Sequence, residues 1–380
     1  MIIGIDIRVL GSKNHSGVQE YTENLLAAML PLDPLIQYKL FYTSFRNSIR
    51  DYSWFHLPNV SMHQFKIPNQ LLFYCSRFFG RPYVDKMIGG VDAFFSPHFI
   101  ITALSPQVRR ITTFHDLSFE QFPEFFSWKQ WLWHQFIQPA WQARFSEKIV
   151  AVSGSTKQDL SHRYHIDPAR IIAIHSGVGS QFRPLPAEAV ADFKKRKNLP
   201  ARYILFLGTL EPRKNIAGLI RAFDALKKMP GHDDLHLVIT GTRGWLDKGI
   251  FRQADISPYR NVIHFYEHPH DFERPWYYNG AELFVYPSFF EGFGFPPLEA
   301  MACGVPVIAS NTSSVPEVVG DAGILVNPYY ISELTLACNA VLGDSMLRED
   351  LIKKGFARAK LFTWRAAAEK TLEVIKSAIT

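Results

Sequence analysis

The sequence predicts an α/β protein built from two doubly wound parallel sheets in two domains. Three observations carry this. Short apolar, β-rich runs alternate with helix-length segments along the whole chain, the pattern of parallel βαβ units. At 380 residues the chain exceeds the size at which one hydrophobic core stops growing, roughly 250–300 residues. A proline-containing, strand-free stretch near 179–200 separates two such alternating halves.

Taken in order, the first half offers strand runs at Ile2–Ile7, Tyr38–Thr43, Val91–Ser96, Arg110–Phe114, Lys148–Ser153 and Ile171–His175. The stretch Phe182-Arg-Pro-Leu-Pro-Ala187 and the charged segment after it, with Lys194-Lys-Arg-Lys197, read as a linker and a solvated helix. The second half repeats the rhythm with Tyr203–Leu207, Leu235–Thr240, Val262–Phe265, Leu283–Tyr286, Val305–Ala309 and Gly323–Val326. Expected domains are therefore 1–180 and 181–361. The remaining 362–380 carries Trp364, Ala368, Leu372 and Ile375 at helical spacing and must bury that stripe.

Composition narrows the class. With 47% hydrophobic and 20% charged residues the chain is globular. Met1–Arg8 reaches charge at Asp6, which is not a signal peptide, and no apolar run approaches membrane-spanning length; a cytoplasmic protein is expected. Cys75, Cys303 and Cys338 are too scattered for a disulfide framework or a zinc site and are expected to be buried thiols. A net charge of +6 without a basic domain argues against nucleic acid as a partner, while anionic ligands or an anionic membrane leaflet remain compatible.

The most informative stretch is Glu291-Gly-Phe-Gly-Phe-Pro-Pro-Leu-Glu299. Two carboxylates flank Gly292, Phe293, Gly294 and Phe295, between a strand and a helix whose first turn suits Pro296 or Pro297. Carboxylates accept paired hydrogen bonds from vicinal hydroxyls, glycines let backbone N–H groups approach a ligand, and a helix start favours phosphate. A sugar nucleotide needs all three. The bland alternative is a βαβ turn with glutamates on its rim.

Leu207-Gly-Thr-Leu-Glu-Pro-Arg-Lys-Asn215 also joins a strand to a helix, with Asn215 placed to cap it. A guanidinium and an ammonium there, Arg213 and Lys214, make a diphosphate clamp that would stabilise charge on a departing nucleoside diphosphate; alone, they would read as a surface pair. His268 and His270 flank a proline in a loop and are read as surface, with no metal site expected.

In the first half, His115-Asp116 ends a buried strand run, and ligands of open α/β sheets sit at such strand ends. His115 is either a site residue or a strand-end imidazole bonded to backbone; Asp116 either orients its ring or caps a turn. Gly17 lies in the loop after the first strand, where a lone glycine is weak evidence. Four of the eight tryptophans, Trp128, Trp131, Trp133 and Trp141, crowd one segment with Phe136 and Phe145. Burial of a helix on the sheet is the commoner outcome, and an exposed, lipid-dipping stripe is the alternative. The run Leu71–Phe79 is a second candidate for acceptor or membrane contact.

Together these motifs resemble the retaining glycosyltransferases of family 4, which have the GT-B fold of two Rossmann-like domains facing across a cleft. The resemblance runs from the Gly17 loop through Val152–Lys157 and His175-Ser-Gly-Val178 to the closing Phe-Thr-Trp helix. It implies that Glu291 binds the donor hexose, Glu299 the ribose, and Arg213 and Lys214 the diphosphate. It further implies that His115 lies by the reacting centre, that Gly17 lets the backbone approach the diphosphate or acceptor, and that the closing helix returns to the N-terminal, acceptor-binding domain; Asp116, beside His115, is a further candidate binding residue. Thr209 stands where the family often has arginine, so one phosphate contact is missing or supplied by Arg213. The segment Tyr266–His270 replaces the family's usual turn near the base, which leaves the base open. The wording is most similar to mannosyltransferases of bacterial polysaccharide and O-antigen assembly. GDP-mannose is thus the expected donor, a glycan or lipid-linked glycan the expected acceptor, with no cofactor or metal and with possible peripheral association at the inner membrane face. Other UDP-, GDP- or dTDP-sugar donors, or a non-catalytic sugar-nucleotide binder, are the alternatives.

Overall fold

The computed structural model describes residues 1–11, 16–45, 49–267 and 269–379. The chain folds as two compact units. The first comprises Met1–Leu117, Lys129–Gly177 and Thr363–Thr380; the second, Ser118–Trp128 and Val178–Phe362.

In the first unit seven strands form one parallel sheet: β1 (Ile2–Asp6), β2 (Gln37–Thr43), β3 (Val60–Phe65), β4 (Ala93–Ser96), β5 (Arg109–Phe114), β6 (Lys148–Ala151) and β7 (Ile171–Ala173), in the order β3-β2-β1-β4-β5-β6-β7. Central strands are apolar on both faces because helices cover both; Ile3, Ile5, Phe94, Phe95, Ile111 and Phe114 are wholly buried. The strand that the sequence reading lacks is β3. It is an edge strand with Ser61 and Gln64 exposed and His63 half-buried, so no apolar run marks it.

The helix Trp364–Ile379 belongs to this unit, packing on the helix Gly17–Met29 and on β4, β5 and β6. It buries Ala367, Ala368, Leu372, Val374, Ile375 and Ala378. Lys376 Nζ reaches Asp33 Oδ2 at 2.9 Å. A Cβ on Gly177 would lie 2.2 Å from the Trp364 amide nitrogen, so only glycine fits where the outgoing chain passes the returning one.

The second unit has six parallel strands, β8 (Tyr203–Leu207), β9 (His236–Gly241), β10 (Ile263–Glu267), β11 (Leu283–Tyr286), β12 (Val307–Ser310) and β13 (Ile324–Val326), in the order β10-β9-β8-β11-β12-β13. This is the dinucleotide-binding strand order, with its switch point between β8 and β11. Residues 118–128, expected in the N-terminal domain, pack with this unit instead. Phe125 stacks on Phe289 (5.5 Å) and Phe126 on Trp245 (5.6 Å), and Trp245 Nε1 donates to the Phe125 carbonyl. Aromatic partners distant in sequence decide its place, which local pattern does not reveal.

Two further expectations are corrected. The tryptophan segment is not core: the helix Trp128–Ile137 buries only Ile137, and Trp131, Trp133, Phe136, Trp141 and Phe145 are all exposed. Its apolar residues ring the helix, so no single face can dock on the sheet. Cys303 and Cys338 are buried free thiols, but Cys75, on the helix Asn69–Phe79, is half exposed.

Candidate functional site

The loops that follow β8 and β11, adjacent strands at the switch point, carry the principal cluster. The turn after β8 is pinned to the loop after β9: Leu210 N donates to Thr242 O (2.8 Å) and Gly244 N to Leu210 O (3.1 Å). Gly241 has φ +153° and a Cβ there would meet the Gly208 carbonyl at 1.9 Å. Thr209 is half-buried in this turn. Pro212–Lys214 then forms a single 3-10 turn that brings both cations inward.

Arg213 Nη1 donates to Glu291 Oε2 (3.0 Å) and to the Phe290 carbonyl (2.6 Å), and Nη2 donates to Glu211 Oε1 (2.6 Å). Lys214 Nζ donates to Glu291 Oε1 (2.7 Å) and to the Tyr286 hydroxyl oxygen (2.7 Å). Both oxygens of Glu291 thus face cations. Three of the predicted residues meet directly, and Glu211 and Tyr286, which the sequence reading missed, complete the group. Glu211 was readable as the acid two residues before Arg213; Tyr286 lies inside a strand run and gave no signal.

Burial alone would raise the Glu291 pKa, but Arg213 and then Lys214 outweigh it and hold the carboxyl at about 2. Burial, then the neighbouring Arg213 charge, lowers Lys214. Burial, then Glu291, pushes the Tyr286 hydroxyl well up. The cluster therefore sets two basic side chains around a carboxylate held ionised as an acceptor.

The glycine loop is anchored from the other side by the turn after β12. Ser313 Oγ accepts from Glu291 N (2.8 Å), and Ser314 Oγ donates to the carbonyls of Glu291 (2.9 Å) and Phe293 (2.8 Å). Gly294 caps the helix Phe295–Ala302 at φ +112°, a conformation that favours glycine. Pro296 and Pro297 carry no N–H, so donors at this helix start come from the loop residues and Leu298 rather than from the full first turn. Asn215 occupies the cap position of the helix Ile216–Leu226 but makes no side-chain cap; its Nδ2 donates to the Pro328 carbonyl at 2.7 Å.

Glu299 sits in a second cluster, 1% exposed. Tyr278 Oη donates to its Oε2 at 2.7 Å, and Arg274 Nη2 donates to Oε1. Both partners lie on the short helix Arg274–Gly280 and were not anticipated. An arginine with a tyrosine one helical turn later was the available signal.

In the first unit, His115 lies at the end of β5. Its Nε2 is 2.9 Å from the Pro97 carbonyl, which can only accept, so Nε2 carries the proton and Nδ1 the lone pair. The Tyr21 ring meets the imidazole edge-on at 4.8 Å. Burial lowers its pKa to about 4, against the opposing effects of the Pro97 hydrogen bond and then the Asp116 charge. Neutral imidazole is the form at pH 7. The ends of β1 and β4 add groups the sequence reading passed over: buried Asp6 is held by Arg8 Nη2 (2.6 Å) and Thr102 Oγ1 (3.1 Å), and His98 Nε2 lies 3.6 Å from it. Gly17 opens the helix Gly17–Met29 behind Ser16, whose side chain accepts from Gln19 N. Residues 12–15 of that loop lie outside the described residues, as does His268. His270 is exposed and stacks on Phe272. Among the described residues no group of three or more His, Cys, Asp or Glu could hold a metal ion.

Two parallel sheets, the second with the dinucleotide-binding strand order, place the chain among doubly wound α/β proteins, and comparison with known proteins gives the family. A model described as glycosyl transferases group 1 matches residues 188–358, and one described as glycosyltransferase family 4 matches 16–182. An Escherichia coli protein named O-antigen chain mannosyltransferase B is 33% identical over 308 residues, covering 78% of this chain and 75% of that protein. Among solved structures, a sucrose-phosphate synthase from Thermosynechococcus elongatus superposes with TM-score 0.75 at 19% identity, over 99% of this chain and 98% of that one. The Anabaena protein HepE in complex with UDP and glucose does so with TM-score 0.75 at 17% identity, over 99% and 100%. The chain belongs to glycosyltransferase family 4, with the GT-B fold, and is a glycosyltransferase.

Proposed function

We propose that the protein is a retaining mannosyltransferase that moves mannose from GDP-mannose to a hydroxyl of a lipid-linked glycan, at the cytoplasmic face of a membrane, in surface-polysaccharide assembly. The observation that carries the donor half is the Glu291 carboxylate held between Arg213 and Lys214. A carboxylate with a pKa near 2 is an acceptor only, suited to hexose hydroxyls. The two cations beside it stabilise negative charge as the nucleoside diphosphate leaves. Glu299 serves the ribose, and Gly292 to Phe295 with Thr209 bring backbone and hydroxyl donors to the phosphates. Mannose as the sugar and polysaccharide as the product are supported by the name of the Escherichia coli relative.

On the acceptor side, a His115 held near pKa 4 is a poor general base at neutral pH. Its Nδ1 instead accepts a hydrogen bond and orients a hydroxyl, with Gly17 and Asp116 lining the same region. The acceptor proton then passes to the leaving phosphate oxygen on the face from which the diphosphate departs. The new glycosidic bond forms as the old one breaks, so configuration is retained. No metal or other cofactor enters this scheme.

Thermal-shift titration with GDP-, UDP- and dTDP-sugars tests the donor, followed by NMR of the product anomer. GDP-mannose is expected to stabilise most and to give an α-linked product. Stabilisation by another nucleotide sugar would overturn the donor, a β-linkage would overturn retention, and binding without turnover on any acceptor would leave a sensor.

A further inference from the structure

The first unit displays an aromatic surface that is exposed among the described residues. The helix Asn69–Phe79 buries Leu72, Phe73 and Ser76 and turns Leu71, Tyr74, Phe78 and Phe79 outward, Phe79 with 78% of its surface exposed. Beside it runs the helix Trp128–Ile137: Phe73 meets Trp133 at 4.9 Å, and Arg77 Nε donates to the Phe136 carbonyl at 3.3 Å. Trp131 (42%), Trp133 and Phe136 remain exposed there. The next helix, Pro139–Phe145, presents Trp141 and Phe145 as a pair 4.5 Å apart.

Charge says what covers this surface. Across 66–87 and 128–145 the charged side chains are Lys66, Arg77, Arg81, Lys86, Lys129 and Arg144, with one acid, Asp85. That acid is buried, accepting from Ser105 N (2.8 Å) and Oγ (2.6 Å). Within these two stretches the exposed charged side chains are therefore all cations, beside the large aromatics. A second copy of the chain meeting it across a two-fold axis would bring these cations against each other. An anionic bilayer satisfies both halves: aromatic rings settle at the headgroup boundary and lysine and arginine pair with lipid phosphates. A shallow groove at the end of the helix Asn69–Phe79, lined by Phe79, Arg81, Tyr83 and Lys86, suits one such headgroup. No described helix is long and apolar enough to cross a membrane, so the contact lies in the plane of the interface.

We infer that the helices Asn69–Phe79, Trp128–Ile137 and Pro139–Phe145 form an in-plane anchor that binds bilayers containing anionic lipid. This deepens the lipid-linked acceptor reading by naming the surface, and its test needs neither donor nor acceptor. The whole protein is floated with vesicles of phosphatidylcholine alone or with about one third phosphatidylglycerol, at low and high salt. The bound fraction is expected to be at least about tenfold higher with the anionic lipid and to fall with salt, with brominated acyl chains quenching tryptophan fluorescence. Trp131→Gln combined with Phe78→Gln and Phe79→Gln should abolish binding while the melting temperature holds, the three side chains being exposed. Arg81→Glu with Lys86→Glu should remove the lipid preference. Absent or lipid-indifferent binding, or self-association that the aromatic variant dissolves, would overturn the anchor. Turnover of a short soluble acceptor by the aromatic variant should be unchanged, so failure of the mannosyl reading and failure of the anchor are separable.

Discussion

Glu291 is held in a charge state that costs stability to change. With its carboxyl depressed from 4.5 to about 2, the ionised form contributes stability that is fully present above the unfolded pKa near 4.5. That contribution is lost as pH falls through about 2. Urea unfolding of the wild type should therefore weaken between those limits, and Glu291→Gln should lack that part of the slope. At neutral pH the same substitution leaves Arg213 and Lys214 buried without their shared partner and should cost on the order of 3 kcal/mol. Nucleoside diphosphate restores counter-charge, so its affinity should persist in Glu291→Gln while turnover of the sugar nucleotide collapses. Equal loss of both would assign Glu291 to the phosphates rather than the sugar.

At the scale of elements, the turn after β8 positions the clamp, and the contact of Gly241 with Gly208 fixes that turn. Gly241→Ala places a methyl group 1.9 Å from a carbonyl oxygen. It should destabilise by roughly 1–3 kcal/mol and weaken nucleotide binding, as denaturation and calorimetry would show. Gly249→Ala, with nothing within 4 Å of the new Cβ and a helical site, should be neutral or stabilising. The apolar strands of both sheets and the glycine loop were legible in the sequence because parallel strands are written as continuous apolar runs and because short-range motifs fix loops. Edge strand β3, residues 118–128 and the pairing of Glu299 with Arg274 and Tyr278 were not, since each depends on partners remote in sequence. The tryptophan helix misled for a different reason: apolar content predicts burial only when something is available to do the burying.

At the scale of the molecule, each unit has its own sheet and core, and every group the proposal gives to the nucleotide lies in the second. GDP at about 100 times its Kd should add about 2.7 kcal/mol to the stability of the state that binds it. Hydrogen exchange should show this as protection concentrated at 207–215 and 287–302. Uniform protection of β1 to β7 would contradict a clamp confined to the second unit.

The return of the helix Trp364–Ile379 to the first sheet has a consequence for biosynthesis. During translation the first unit emerges early yet lacks the layer that covers part of β4, β5 and β6 until everything from 178 to 362 has been made, a delay of roughly 10–40 s. Over that interval the newborn chain exposes an open sheet face, and a ribosome stalled within the second unit would release a product that trigger-factor-like helpers must shelter or proteases clear.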